Sequence, residues 1–229
     1  IKCDRLKLLS CYDILEDRKR EFAERYGCSS ARDLEEIVND PEIEGVIIIT
    51  PNHLHRDQVM LSASGGKHIF VEKPIANTIP EAKEMIKACP ENKVVLAVGH
   101  NTRRFGGHRK MKELIEQGAL GRIIMAEANF SHNGGLRLTP SQWRYYDRWC
   151  PSGPLLQLGV HQADTLRYLL GDISEVTSFF AHLATPAEND DVTLVLLKFT
   201  SGPLGYLGSN YVTPSLFYVN TYETQANLY

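Results

Sequence analysis

The sequence lacks the features that mark membrane proteins, secreted disulfide-rich proteins and nucleic-acid-binding proteins. Among its 229 residues no apolar run approaches the roughly 20 that cross a bilayer, and the first residues do not read as a signal peptide. The formal charge of -3 comes from interspersed acids and bases without a polybasic run. We therefore expect no nucleic-acid partner and no membrane partner.

Cysteine is scarce, and its spacing suggests neither a disulfide framework nor a thiolate metal site. No C-x-x-C pair occurs, and the total is odd. The five residues are Cys3, Cys11, Cys28, Cys89 and Cys150. A reducing, cytoplasmic location fits this usage best. The chain begins at Ile1 rather than at methionine, which leaves a lost leader open.

What is present is a strong alternation of strand and helix patterns up to Val98. This alternation predicts an α/β fold with a doubly wound parallel sheet of the Rossmann type. The apolar, β-branched run 46–49 predicts a central strand covered by helices on both faces. We predict strands at 8–12, 46–49, 69–71 and 94–98, and helices at 17–26, 31–38 and 80–88.

After Gly99 the pattern changes, and we place a domain boundary near 101–103. Residues 1–101 then form the first domain, and 102–229 form an α+β domain with a large, mostly antiparallel sheet that we expect to be incomplete. Predicted helices lie at 111–115 and 160–170, and predicted strands at 124–130, 176–183, 192–199 and 204–210, before a strand-turn region at 218–229.

Polar loops follow the strands of the first domain. In an open α/β sheet the ligand binds beyond the carboxyl ends of the strands. Asp13, the loop 50–52, the loop 72–74 and the loop 99–101 all occupy that position in the predicted order of elements. We therefore expect these four segments to line one cleft.

Asp13 directly follows the predicted second strand of a dinucleotide fold, where an acid usually binds the ribose hydroxyls. A carboxylate repels a 2'-phosphate, and the next residue is Ile14 rather than arginine, so NAD is favoured over NADP. The alternative is that Asp13 caps a helix or a turn. No G-x-G-x-x-G motif occurs, and we infer a lost first strand-turn-helix of about 30 residues.

Lys73 lies between Glu72 and Pro74, and the proline holds it in extended backbone. An ammonium group in a partly dry cleft can have a lowered pKa and donate a proton to a reacting oxygen. Lys-Pro is also common in surface turns, which is the alternative.

Two segments of the first domain carry recognisable motifs. The run 66–74, Gly-Lys-His-Ile-Phe-Val-Glu-Lys-Pro, ends in Glu-Lys-Pro, and the run 50–55, Thr-Pro-Asn-His-Leu-His, reads T-P-N-x-x-H. Both resemble the corresponding segments of the Gfo/Idh/MocA oxidoreductases. The resemblance implies cofactor contacts from Thr50, Pro51, Asn52, His55, Glu72, Lys73 and Pro74. His53 and His55 have no third ligand nearby, so we predict no metal site.

The run 153–164 resembles the family's G-G-x-x-x-D-x-G-x-H-x-x-D signature. The resemblance implies that His161 is the general acid/base with Lys73 as its partner, and that Gln157 and Asn101 help to bind the substrate. Gln157 stands where the signature has an acid, and an amide cannot accept a proton into charge. Proton relay by an acid–histidine pair is therefore in doubt, and His161 as a satisfied core residue is the alternative.

Residues 141–144, Ser-Gln-Trp-Arg, resemble the family's W-R element, which implies that Trp143 and Arg144 reach the cofactor or the substrate. A stacked pair at a subunit contact is the alternative. The apolar strands of the second domain would leave one sheet face open, so we expect a homodimer or homotetramer through that sheet.

Together the segments imply an enzyme, an NAD(P)-dependent dehydrogenase that transfers a hydride between the nicotinamide and a sugar, cyclitol or related polyol. Two alternatives stay open. One is a non-catalytic sensor of dinucleotide or sugar, motivated by Gln157. The other is a lyase or hydrolase that uses bound NAD transiently.

Overall fold

The computed structural model describes residues 5–229, so Cys3 lies outside the described part of the chain. The chain divides into two compact units, Ile1–Val98 and Gly99–Tyr229. This division lies just before the region 101–103, where the sequence pattern changes.

Short parallel strands alternate with helices in the first unit, which is the α/β alternation that the sequence predicts. The elements are β1 (Ser10–Cys11), α1 (Glu16–Tyr26), β2 (Ser29–Ser30), α2 (Leu34–Asn39), β3 (Gly45–Ile48), α3 (His55–Ser64), β4 (His68–Val71), α4 (Ile79–Glu91) and β5 (Leu96–Val98).

Capping residues determine where several helices begin and end. Thr78 accepts a hydrogen bond from the Glu81 amide while the Glu81 carboxylate accepts one from the Thr78 amide, and this capping box opens α4. α1 ends at Gly27, whose φ of 65° is left-handed. α2 begins at Leu34, later than predicted, because Asp33 accepts from a first-turn amide as its N-cap.

The parallel strands of the first unit lie in two sheets that share one core. β3, β4 and β5 form a sheet in that order, and β1 pairs with β2. Val46 and Ile48 are buried in the core with side chains of α3 and α4. Ile47 is 58% exposed and Phe70 is 40% exposed on the other face. Among the described residues no helix covers these alternate side chains, so the second helical layer that the sequence predicts is not found over this face.

The second unit contains one large mixed sheet and two helices. The elements are α5 (Gly106–Glu116), β6 (Ile123–Ser131), α6 (Val160–Leu170), β7 (Ile173–Ala181), β8 (Val192–Phe199), β9 (Leu204–Asn210), β10 (Leu216–Glu223) and β11 (Asn227–Leu228). The strand order is β11-β10-β6-β9-β8-β7. Within this sheet β6 and β9 pair in parallel and the other neighbouring strands pair antiparallel, so the prediction of a mostly antiparallel sheet is confirmed.

One face of this sheet packs against the helices and the other carries exposed apolar side chains. Leu166 and Leu169 of α6 are buried with Val195 and Leu207 of the sheet. On the opposite face, cross-strand neighbours place large apolar side chains in a band. This outer sheet face consists of Met125, Phe179, Leu194, Leu196 and Leu204, which are 37% to 70% exposed.

No helix in the described part of the chain combines the length and the apolar character needed to cross a membrane. Among the described residues, no disulfide bond involves Cys11, Cys28, Cys89 or Cys150. Burial, assisted by a hydrogen bond with Cys28, raises the pKa of Cys11 to about 11. That thiol is therefore protonated at neutral pH and is a poor nucleophile.

Candidate active site

The loop that follows β3 is held in place by its own side chains. The Thr50 hydroxyl donates to Gln58 Oε1 at 2.6 Å. Asn52 is 3% exposed, and its amide donates to Asn77 Oδ1, which belongs to the loop after β4. The predicted segment 50–52 is therefore an ordered turn at the carboxyl end of β3.

The His55 ring contacts the backbone of the same two loops. Its ring is 1% exposed, with Nδ1 at 2.9 Å from the Pro74 carbonyl oxygen and Nε2 at 3.0 Å from the Thr50 carbonyl oxygen. Both ring nitrogens therefore face backbone acceptors. The predicted cofactor contact by the His55 ring does not fit this arrangement, since a ring buried between two carbonyl groups positions the loops instead.

The loop after β4 presents the Glu-Lys-Pro segment at the same edge of the sheet. Glu72 and Lys73 are half-buried, and the Lys73 amide donates to Glu72 Oε2 at 3.1 Å. The Lys73–Pro74 peptide bond is cis. Pro74 is buried, and His55 holds its carbonyl group. Lys73 therefore belongs to a braced turn between a central strand and α4, rather than to a surface loop.

Asp13 follows β1 and is half-buried. Its Oδ1 accepts from the Leu15 amide at 2.8 Å, which is the turn role that the sequence left open. A carboxylate has a second oxygen, so this bond is compatible with a ribose contact. Ile14 is 84% exposed, so the side chain beside the carboxylate is apolar and offers a 2'-phosphate no cation.

The histidine pair after β3 does not form a metal site with its neighbours. Burial, and then repulsion from His55, lowers the pKa of His53. Among residues 5–229 no group of three or more His, Cys, Asp or Glu side chains is arranged to hold a metal ion.

In the second unit, Gln157 and His161 lie on one continuous helical stretch. A π-helical turn, Leu155–Gly159, leads directly into α6. Gln157 is 4% exposed and His161 is 7% exposed. The His161 ring packs against Phe130, with the ring centroids 5.9 Å apart. Single π turns inside helices occur frequently at functional sites.

Asn101 opens a 3-10 turn, Asn101–Arg104, and is exposed. The next residue, Thr102, is buried, and its hydroxyl lies 2.9 Å from that of Thr165 in α6. The structure therefore brings the turn of Asn101 against the helix that carries His161.

Trp143 and Arg144 lie on a 3-10 turn, Trp143–Tyr145, and stack on each other with the guanidinium carbon 4.3 Å from the ring centroid. Asn189 fixes this segment from the interior. Its amide nitrogen donates to the carbonyl oxygens of Arg144, at 3.2 Å, and Cys150, at 2.9 Å. Trp143 is half-buried and Arg144 is exposed on this anchored turn.

Several supporting residues carry no local signal in the sequence. Asp191 is 0% exposed, and its carboxylate accepts from three consecutive backbone amides, 183–185. Burial raises the pKa of Asp191, but the three amides outweigh that effect and the net shift is downward. In the sequence, Asp191 looks like any acidic residue in a loop before a strand. Its first amide partner lies eight residues earlier, and only the fold shows that the two meet.

Comparison with known proteins agrees with this architecture. Residues 1–100 match the model of the oxidoreductase family with an NAD-binding Rossmann fold, and residues 108–223 match the C-terminal domain model of GFO/IDH/MocA proteins. The chain is 31% identical over 210 residues to a 1,5-anhydro-D-fructose reductase of Ensifer adhaerens, covering 90% of this chain and 62% of that protein.

The chain is also 32% identical to a levoglucosan dehydrogenase of Pseudarthrobacter phenanthrenivorans, over 81% of this chain and 54% of that protein. A solved structure from Desulfitobacterium hafniense, described as an NADPH-dependent oxidoreductase, superposes with a TM-score of 0.94 at 40% identity. The superposition covers 99% of this chain and 65% of that chain.

A levoglucosan dehydrogenase in complex with NADH and levoglucosan superposes with a TM-score of 0.89 at 28% identity, over 96% of this chain and 62% of that chain. The chain thus spans less than two thirds of the length of these relatives. Family models match both units, and the two relatives above are more than 30% identical to the chain. The chain therefore belongs to the Gfo/Idh/MocA family of oxidoreductases.

Proposed function

We propose that the protein reversibly oxidises a carbinol carbon of a sugar, cyclitol or related polyol, with NAD as the hydride acceptor. The observation that carries this proposal is the braced Glu-Lys-Pro turn at the carboxyl end of β4, which presents half-buried Lys73 where ligands of α/β sheets bind. The bound nicotinamide supplies the redox chemistry, and the protein supplies position and proton handling.

The residues of the first unit fit a dinucleotide. Asp13 offers a carboxylate oxygen to the ribose hydroxyls, and the apolar neighbour Ile14 favours NAD over NADP. The remaining proposed cofactor contacts come from the two braced turns and from the second unit: Thr50, Pro51, Asn52, Glu72, Lys73, Pro74, Asn101, Trp143 and Arg144. His55 is assigned to bracing, because its ring nitrogens lie on the Thr50 and Pro74 carbonyl groups.

Lys73 and His161 share the proton chemistry in this proposal. With the cofactor bound, oxidation of the carbinol would also release the hydroxyl proton; we assign its acceptance to His161 and a hydrogen bond to the substrate oxygen to Lys73. Gln157 and Asn101 orient the substrate through their amide groups. A buried glutamine can both donate and accept, but it cannot share the charge of a protonated His161.

Lys73 and His161, the two groups that exchange protons, are both retained. Their retention favours turnover over a purely sensing role, even though Gln157 replaces the acid of the signature. A sensor needs the shape of the site but no proton donor.

We also propose that a second copy of this chain covers the outer sheet face. Five large apolar side chains form a band there, and Leu194 and Leu196 on β8 are 47% and 56% exposed. Contiguous exposed apolar patches of this kind mark interaction sites. A sheet face that pairs with its own copy forms a closed two-fold contact, which is the commonest symmetry of soluble oligomers.

The test is calorimetric titration of the full-length protein with NAD and NADP, followed by an absorbance screen for reduced nicotinamide against sugars and polyols. We expect tighter binding of NAD than of NADP and turnover with at least one polyol. Binding without any net reduction would contradict the dehydrogenase proposal. Absence of binding to both dinucleotides would contradict the assignment of the loops to a cofactor.

A further inference from the structure

We infer that Asp164 is a positioning residue, which fixes the turn carrying Asn101 against the first turns of the helix carrying His161. This inference rests on the proposed function, because the relative placement of Asn101 and His161 matters for turnover only if both act on the substrate. All of the residues concerned belong to the second unit.

The core of this arrangement is a two-point ion pair between Arg103 and Asp164. Arg103 Nε donates to one carboxylate oxygen and Nη2 donates to the other. The Asp164 side chain is only 9% exposed, whereas that of Arg103 is 43% exposed. This bidentate geometry fixes the orientation of both groups. Removal of the partner destabilises a largely buried carboxylate far more than an exposed one, because the buried charge is left uncompensated.

A buried chain of hydroxyl groups adds a second link between the same two elements. Thr165 donates to the His161 carbonyl oxygen at 2.9 Å, and the Thr102 hydroxyl lies 2.9 Å from that of Thr165. His108 Nδ1 lies 2.8 Å from the Thr102 carbonyl oxygen. Thr102 and Thr165 are 3% and 0% exposed, so the turn is fixed in the interior by the threonines and at the rim by the ion pair.

Both proposed substrate contacts, Asn101 and His161, lie close in sequence to a member of the ion pair. Asp164 follows His161 by three residues, so the two lie on one side of α6. Asn101 precedes Arg103 in the same 3-10 turn. His100, just before the turn, has Nδ1 at 3.8 Å from Asp164 Oδ1. If the ion pair is lost, the turn of Asn101 keeps its interior link and the weaker contact of Arg103 with the Tyr168 ring, 5.8 Å from the ring centroid, and can shift relative to His161.

The experiment compares Asp164→Asn, Arg103→Met and the double variant in the full-length protein. Each single change is expected to lower kcat by roughly 10- to 100-fold, because a displacement of about 1 Å at a reacting group can cost that much. The Kd for NAD is expected to rise far less than kcat falls, because Asn101 is the one proposed cofactor contact in the shifted turn, whereas Asp13 and the braced turns belong to the first unit. The double variant is expected to lose no more than the worse single variant, since either change removes the same link.

Arg103→Lys serves as the conservative variant, because lysine keeps the charge but lacks the two-point fork. Its kcat is expected to lie between those of the wild type and Arg103→Met. The matched control is the Arg167–Asp172 pair at the other end of the same helix, whose side chains are 58% and 75% exposed. Arg167→Met and Asp172→Asn are expected to leave kcat unchanged.

Hydrogen exchange separates failure of this inference from failure of the proposed function. In Asp164→Asn the amides of 101–105 are expected to exchange faster than in the wild type and in Asp172→Asn. If the wild type turns over a polyol and Asp164→Asn matches its kcat, the inference is overturned. If the wild type shows no turnover, the proposed function fails, and unchanged exchange at 101–105 then overturns the link between the turn and the helix as well.

Discussion

At the scale of single residues, the candidate site separates groups that brace from groups that react. His55 is 1% exposed and lies between two backbone carbonyl groups, so it determines where neighbouring loops lie. Lys73, in the turn that His55 holds, is half-buried and close to the sheet edge. A turn held in one conformation places its flexible side chain near a reacting oxygen at a defined position. Such orientation of reacting groups lowers the activation barrier.

Replacing Lys73 by methionine tests its chemical role, since methionine keeps most of the side-chain length without a proton donor. We expect kcat to fall by roughly 10²- to 10⁴-fold with little change in NAD affinity, the range for removal of a general acid/base group. Steady-state kinetics and NAD titration measure the two effects. Lys83→Met, at an exposed position of α4, is the control. A rate near that of the wild type would remove Lys73 from the mechanism.

Asp191 gives a prediction about stability and pH. Its pKa lies below the ordinary value, so the ionised carboxylate stabilises the fold above about pH 4 and loses that contribution as pH falls through the lowered pKa. Asp191→Asn is expected to lower the free energy of unfolding near pH 7 by about 2 kcal/mol, because three amides lose a charged acceptor. Thermal unfolding across pH measures this difference. A difference that persists undiminished at the lowest pH would contradict it.

At the scale of elements, the segment that opens α6 is placed by close backbone contact. Gly153 has a φ of 37°, and a Cβ there would lie 2.1 Å from the Asp190 carbonyl oxygen. Real side chains do not approach a backbone oxygen so closely, so an alanine would displace the segment before Gln157 or the loop before β8.

Gly153→Ala is therefore expected to lower the melting temperature by several degrees and to reduce kcat, because the π turn and the start of α6 follow directly. Gly107→Ala in α5 is the matched control, since a Cβ there meets nothing within 4 Å. That change is expected to leave the protein unaffected or to stabilise it by about 0.5–1 kcal/mol. Equal melting temperatures for the two variants would contradict the steric explanation.

Periodicity in the sequence predicts the bounds of helices and strands better than it predicts which elements pack against them. The bounds Val160–Leu170, Val192–Phe199 and Leu204–Asn210 agree with the sequence pattern, because each has an uninterrupted period of helix or strand between Gly, Pro or Asp residues. Ile47 shows the limit of this reasoning. A continuous apolar run indicates a strand, but it does not tell whether a helix covers its second face.

The placement of the candidate site segments can be predicted only where the residues concerned are adjacent in sequence. The segments 50–52 and 72–74 lie at one sheet edge, as expected for loops after neighbouring parallel strands. The brace between Thr50 and Pro74 and the pair of Arg103 with Asp164 join residues far apart in sequence. Such contacts have no period or spacing, so only the folded chain identifies them.

At the scale of the whole molecule, the outer sheet face determines the expected assembly. Leu194→Lys combined with Leu196→Lys places two charges on the proposed contact. We expect the full-length protein to change from a dimer or tetramer to a smaller species, measured by light scattering during size exclusion. Val176→Lys is the control, because Val176 is 60% exposed but pairs with Leu197 on the opposite face of the sheet. A wild type that is monomeric at micromolar concentration would contradict the proposal.

Direct transfer of an isotopic label from the substrate to the dinucleotide tests the proposed hydride transfer most closely. A polyol deuterated at the carbinol carbon is incubated with the full-length protein and NAD, and the reduced dinucleotide is analysed by mass spectrometry. We expect deuterium on the nicotinamide C4, and far less labelled dinucleotide with Lys73→Met. Consumption of the polyol without net labelled dinucleotide, or reduced dinucleotide without deuterium, would contradict it.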